Sequence, residues 1–291
     1  MIFSLMPAYG GDERETILLA RSIRQFAGVV ADSAIHVMEP EQSPLSTAAR
    51  RALEELSVSV FPFCLPPGGL DFPLAQKVYA AAEAEDRAGK DLLVWMDSDT
   101  MVLDQPDAFQ LPELVSLGCC PVHLKNISSL FSQPLDDFWR EVFGGCGVSL
   151  DRLFPVVSTM DAQEIYAHFN AGLLVVRPKA GILRTWRENF ERLYLDRRFA
   201  PLYAERQARQ FFLSQAVLAA TIVQMLAREK IQLFSPRYNH PIMLVERYPV
   251  SITDPITCRY DAYSVLERCA CLRLKPGVTR WLHDSDHSME G

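Results

Sequence analysis

Two carboxylates stand two residues apart at Asp97 and Asp99, flanking Ser98, immediately after the run Leu92-Leu93-Val94-Trp95-Met96. If the chain stays extended through them, both side chains leave the same face. Burying two like charges is costly unless something neutralises them. The expected remedy is a hard divalent cation, Mn²⁺ or Mg²⁺, held by carboxylate oxygens and completed by water and phosphate oxygens. Such an ion bridges a diphosphate and stabilises the charge that builds as the diphosphate leaves. The plain alternative for so short a pattern is a pair of acids capping a turn. A phosphatase signature, D-x-D-x-T, uses similar letters, but here Thr100 falls one residue early.

The elements around the pair favour the chemical reading. Ile2 to Met6 reads as a strand ended by Pro7 and Gly10-Gly11. Asp12 with Glu15 forms a capping-box pattern, and Leu19, Ile23, Phe26 and Ala27 recur at helical spacing. A second strand follows at Ala34 to Met38, then a helix introduced by Ser43-Pro44 with Ala49, Leu53 and Leu56 on one face. A third strand, Val58 to Phe61, leads through the loop Pro66 to Gly69 into a helix from Pro73 to about Arg87, stopped at Gly89. Leu92 to Met96 is apolar without alternation, which suits a central parallel strand covered on both faces. Strand and helix alternating in this way specify an α/β fold, an open and mostly parallel sheet with helices on both faces. Ligands of such sheets bind beyond the C-terminal strand ends, where Asp97 and Asp99 stand.

The second half is less regular. Leu111 to His123 holds a strand, and Asp136-Asp137 opens a helix ending near Phe143. Phe169 to Gly172 reads as a turn before the strand Leu173 to Val176, which Arg177-Pro178 ends. Amphipathic helices follow at Ile182 to Leu193 and at Ala208 to Arg228. Cys119-Cys120 reads as buried thiols, and Arg197, Arg198, Arg206 and Arg209 as solvated helix ends. Without repeats or an evident linker, residues 1–291 read as one domain.

Composition narrows the classes. The 291 residues carry 29 Lys and Arg against 36 Asp and Glu, a net charge of −7, with 49% apolar and 22% charged residues. That excludes a disordered or collagen-like chain and gives no basic excess for nucleic acid. Seven cysteines without a C-x-x-C pair argue against a disulfide scaffold or structural zinc and for reduced thiols in a cytoplasmic protein. The first residues lack the basic segment of a signal peptide. The apolar stretch Phe211 to Leu226 is shorter than the about 20 residues a membrane span needs.

Three segments of the chain resemble those of a known family. The apolar strand, Asp97-Ser98-Asp99 and Met101-Val102-Leu103 resemble the D-x-D region of nucleotide-diphosphosugar glycosyltransferases with the GT-A fold. His168-Phe169-Asn170-Ala171-Gly172-Leu173-Leu174-Val175-Val176-Arg177-Pro178 is similar to a segment of the glycogenin, galactinol synthase and bacterial lipopolysaccharide galactosyltransferase family. Phe212-Leu213-Ser214-Gln215 looks like that family's helix opening with an Asp-Gln pair, Ser214 standing in the acid's place.

The resemblance implies a GT-A-like fold and metal-dependent transfer of a sugar from a nucleotide-diphosphosugar, a UDP-sugar, to an acceptor hydroxyl, with retention of configuration. Residues 1–105 would form the nucleotide-binding half and 106–291 the acceptor side and C-terminal tail. Asp97 and Asp99 would bind the metal, with His283 as a third ligand and His123 and His240 as alternatives. Pro7, Ala8, Tyr9, Lys77, Asp97, Ser98, Ala171 and Gly172 would line the donor, and Asn170 and Gln215 the transferred sugar. Without the resemblance, Lys77 reads as an exposed helical lysine, Tyr9 as a loop aromatic and Asn170 to Gly172 as a tight turn. The competing reading keeps the fold without glycosyl transfer, as a sugar-nucleotide-binding or nucleotidyltransferase-like protein. A nucleotidyltransferase should carry a basic, glycine-rich first loop, and no lysine accompanies Gly10-Gly11.

Overall fold

The computed structural model describes residues 1–7, 13–66, 72–248, 252, 254–260 and 274–287. The chain opens as β1 (Ile2–Met6), α1 (Glu13–Phe26), β2 (Ala34–Pro40), α2 (Thr47–Glu55), β3 (Val58–Phe63), α3 (Ala75–Ala88), β4 (Leu93–Asp97) and β5 (Thr100–Val102). It continues as β6 (Leu117–Pro121), α4 (Asp137–Gly145), β7 (Pro155–Val157), β8 (Glu164–Tyr166), β9 (Phe169–Val176), α5 (Ile182–Leu193), α6 (Ala200–Glu205), α7 (Gln207–Phe211) and α8 (Leu213–Met225). Three short strands, β10 (Ile231–Leu233), β11 (His240–Pro241) and β12 (Thr257–Arg259), precede the helix α9 (Pro276–His287).

Seven strands form the main sheet in the order β10-β6-β9-β4-β1-β2-β3. All neighbours pair in parallel except β9, which runs antiparallel to both β4 and β6. Strands from both halves of the chain thus share one sheet. Period-2 geometry explains the unbroken apolar run in β4: Leu93 and Trp95 enter the core on one face, while Val94 and Met96 enter the core on the other. The first core packs the sheet against α3, α4, α5 and α8, and the second packs it against α1 and α2.

The apolar stretch after Phe211 is buried all round as α8, with Leu213, Val217, Leu218 and Ile222 fully enclosed. An all-round apolar helix of this length belongs to a protein core. Among the described residues no helix is long and apolar enough to cross a membrane.

Local signals account for most boundaries and for the departures from the sequence reading. The second helix starts at Thr47, because the Ser46 side chain accepts from the Ala49 N–H; Ser43-Pro44 lies upstream of it. Asp136 caps α4 by accepting from Trp139 N–H, as its position suggested. Helix α3 begins at Ala75, after Leu74 in the left-handed region at φ 58°. Phe169 to Gly172 is not a turn but the first half of β9: Phe169 pairs with Pro121 of β6, and the strand runs on into Leu173 to Val176, which pair with β4. The predicted helix from Ala208 is broken at Phe212 into α7 and α8. Arg209 is not solvated; it is buried between Glu205 and Asp136.

The packing predicts a clear contrast in urea denaturation. Leu218→Ala should cost about 2–5 kcal/mol by opening a cavity in the enclosed helix. Leu195→Ala, at a side chain 72% exposed, should change stability by less than about 0.5 kcal/mol.

Candidate active site

The ends of β1 and β4 lie side by side, with Met6 in register with Asp97. On one side of β1 the chain continues into β2 and β3, and on the other it returns as β4. That is the switch point at which open sheets form a crevice. Past Asp97 the chain turns sharply, and Thr100 Oγ1 donates to the Asp97 carbonyl at 2.6 Å. Strand β5 then pairs antiparallel with β12, which sets Arg259 opposite Thr100. The Tyr260 N–H extends the ladder to the Asp99 carbonyl at 3.0 Å. Tyr260 Oη also donates to the Ser98 carbonyl at 3.4 Å.

Both acids are buried, and side-chain cations neutralise them. Lys77 Nζ lies 2.6 Å from Asp97 Oδ2. The Arg259 guanidinium spans the pair, with Nη2 at 2.9 Å from Asp99 Oδ2 and Nη1 at 3.4 Å from Asp97 Oδ2. Lys77 is therefore not an exposed helical lysine: helix α3 turns it inward, at 8% exposure. Ser98 Oγ meets Glu15 Oε2 of α1 at 3.4 Å. Gly172 leaves the room this arrangement needs. A Cβ there would lie 2.7 Å from Asp97 Oδ2 and 3.1 Å from Arg259 Nη1.

Beside this cluster lies a cleft of about 350 Å³, walled by Lys77, Asn170, His168, Gln215, His123 and Arg259. Leu74, Phe211, Phe212, Met243 and Leu244 make its apolar rim. Lys77 and Arg259 face the cleft, whereas Asp97 and Asp99 are not among its lining residues.

A neutral hydrogen-bond relay supports the opposite wall. Gln215 Oε1 accepts from the Ala171 N–H at 3.3 Å, which fixes the amide orientation. Gln215 Nε2 must then donate to His168 Nε2, 3.2 Å away. His168 consequently carries its proton on Nδ1 and donates to Ser128 Oγ at 2.6 Å. Burial pushes the His168 imidazole down to about 3, so the ring is neutral throughout the physiological range. Burial also pushes His123 down, with help from the Arg259 charge and from His240.

Of the residues singled out from sequence, Lys77, Asn170 and Gln215 meet at the cleft, with Asp97, Ser98 and Asp99 adjoining it. Pro7 ends β1 next to them, whereas Ala8 and Tyr9 lie outside the described residues. The backbone N–H groups of Ala171 and Gly172, expected to face a sugar, are taken by Gln215 Oε1 and by Asn170 Oδ1, the latter at 2.7 Å. His283 falls within α9, and its side chain lies outside the described residues. His240 is buried on β11.

Sequence reasoning missed Arg259 and the part His168 plays. Arg259 comes from a three-residue strand in an irregular region and has no periodic signal. His168 had one: an imidazole at the head of an apolar strand needs a partner on each ring nitrogen.

The seat expected for a divalent cation is thus taken by side chains. Asp97 and Asp99 are suitable hard oxygen ligands, but both are already engaged by Lys77 and Arg259. Among the described residues, no three His, Cys, Asp or Glu side chains come together to hold a metal. As arranged, the site does not fit the ion. The sequence reading expected a metal because burial demands counter-charge, and that charge arrives instead from α3 and β12.

Two outcomes follow from this geometry. His168 binds its proton more weakly folded than unfolded, so its contribution to stability is complete above pH 6.5 and is lost as pH falls towards about 3. Urea melts between pH 6 and 5 should lose about 1.4 kcal/mol per pH unit for each such histidine, and His168→Asn should reduce the slope by one proton. Gly172→Ala should destabilise by about 1–3 kcal/mol through overpacking against Asp97 and Arg259, read as a lower urea midpoint.

Comparison with known proteins agrees with this architecture. Residues 9–225 match the family described as the Rhodobacterales glycosyltransferase domain. Among curated protein sequences none matches the chain. An active-site mutant of LgtC has a similar fold, with TM-score 0.54 and 15% identity over 99% of this chain and 96% of that one. The galactosyltransferase LgtC with donor and acceptor sugar analogues gives TM-score 0.52 and 16% identity over 97% and 100% of the two chains. The glycosyltransferase GlyE of Streptococcus pneumoniae gives 0.50 and 14% over 98% of this chain and 59% of its own. With the family matched along about three quarters of its length, this chain is a glycosyltransferase of the Rhodobacterales glycosyltransferase family, with a GT-A-like fold.

Proposed function

We propose that this transferase takes its sugar from a nucleotide-diphosphosugar, a UDP-sugar, and passes it to an acceptor hydroxyl at the cleft beside Asp97 and Asp99. The observation that carries the reading is the meeting of two cations, Lys77 and Arg259, with two neutral amides, Asn170 and Gln215, in one cleft. Cations suit a diphosphate, and amides suit the hydroxyls of a sugar. The nucleoside would lie towards Pro7 at the end of β1, as ligands of open sheets do.

In the transfer, the bond from the anomeric carbon to the diphosphate oxygen breaks and its electron pair leaves with the diphosphate. The acceptor oxygen forms the new bond to the anomeric carbon and gives up its proton to the departing diphosphate. Lys77 and Arg259 are positioned to meet the negative charge that grows on the departing group, and fixed charges at such a place usually supply the largest share of catalysis. Asn170 and Gln215 would hold the sugar, with His168 acting on Gln215 as a positioning residue. The exposed ring of Phe211 at the mouth offers an acceptor sugar a face to stack on.

The complex named for LgtC holds donor and acceptor sugar analogues, which supports a two-substrate cleft in this fold. The test is a panel of UDP-, GDP- and CMP-sugars, followed for release of the nucleotide with and without simple sugar acceptors. UDP release from one UDP-sugar, accelerated by an acceptor, is the expected result. Gln215→Ala should then lower kcat about 10²-fold or more with little change in UDP affinity. Tight nucleotide-sugar binding without turnover under any condition would favour the binding-protein reading.

A further inference from the structure

This inference rests on the donor reading above and concerns the same site. We propose that Arg259, with Lys77 beside it, is the resident cation for the donor's diphosphate, so that the chain binds a nucleoside diphosphate without a divalent metal ion.

Four observations converge. The Arg259 guanidinium reaches both carboxylates that a metal would need, at 2.9 Å from Asp99 and 3.4 Å from Asp97. Backbone pairing fixes the main chain that carries it, since β12 lies antiparallel to β5 with Arg259 opposite Thr100 and the Tyr260 N–H on the Asp99 carbonyl. The neighbouring backbone is shaped to admit it, because any side chain at Gly172 would collide with the Asp97–Arg259 contact. Finally, the two cations line the cleft and their acid partners do not.

The last point gives the arrangement its direction. An anionic ligand entering the cleft meets the guanidinium and the ammonium first, with the carboxylates holding them from the other side. Guanidinium keeps its charge at any pH a protein survives, and its planar fork matches two phosphate oxygens at once. Lys77 adds a compact second charge, itself anchored at 2.6 Å on Asp97. A divalent ion seated on the same carboxylates would crowd against both cations, and it would have to displace the guanidinium from Asp97 and Asp99 first. The acids at the end of β4 therefore orient a protein-borne cation where the sequence pattern suggests they hold a metal.

The test uses UDP and Mn²⁺ as probes on the full chain. Calorimetry should give UDP the same Kd within twofold in EDTA and in Mn²⁺, and electron paramagnetic resonance should show Mn²⁺ remaining free in the presence of wild-type protein. R259Q should weaken UDP binding in EDTA at least tenfold and, with its acids released, should begin to bind Mn²⁺. R259K, which keeps the charge, should recover part of the metal-free affinity. Should the glutamine variant fail to fold, the wild-type comparison decides by itself. A wild-type Kd that improves tenfold or more with Mn²⁺, together with loss of the free Mn²⁺ signal, overturns the inference and leaves the donor reading intact. If UDP, GDP and ADP bind in neither buffer, the donor reading fails and takes the inference with it.

Discussion

The end of the innermost strand carries two carboxylates in a place nearly closed to water, and the rest of the site is arranged around that constraint. Asp97 and Asp99 are only 8% and 9% exposed, so each needs a positive partner within a few ångströms. The partners come from either side of the pair in sequence: Lys77 from the helix that precedes the strand, and Arg259 from a short strand far beyond it. Residues that look unrelated answer to the same demand. Leu74 takes a left-handed backbone where α3 begins, three residues before Lys77. Gly172 keeps its own strand clear of the ion pairs. Neither glycine nor strained leucine would be chosen there for strand or helix propensity alone.

The opposite wall solves a different problem by a different means. His168 and Gln215 are polar groups at the border of a core that includes Trp139 and Phe169, and they remain uncharged. A chain of three hydrogen bonds satisfies them, running from the Ala171 N–H through Gln215 and His168 to Ser128. A neutral relay costs less to bury than an ion pair, and it fixes the direction in which each amide and ring nitrogen points. One side of the cleft is therefore built from balanced charge and the other from directed dipoles.

The fold and the acid pair were legible in the sequence because their causes are local. A strand covered on both faces must be apolar at every position, and Leu93 to Met96 is. Asp136 announced its helix because a cap is read from one residue and its neighbour three positions on. What the sequence did not reveal depends on contacts between distant segments. Nothing near Lys77 says that the face it occupies is the one laid against β4. Asn170 and Gly172 favour turns, and they run extended here because the strand they begin is held between β4 and β6 further along. Ser43-Pro44 offered as good a start signal as Ser46, and only the bond from Ala49 separates them. Arg259 was invisible for the strongest version of this reason, since its partner lies 162 positions away.

That distance has a meaning for how the protein is made. Six of the seven strands of the main sheet end by Val176, so the sheet can begin to form before β12 pairs. At that stage Asp97 and Asp99 stand at the end of β4 with Lys77 in place but without Arg259. Strand β12 completes the charge balance and the cleft wall in a single pairing event. The transferase therefore lacks a complete cleft wall until β12 has docked on β5, so a folding intermediate without that pairing cannot yet present both cations to a ligand.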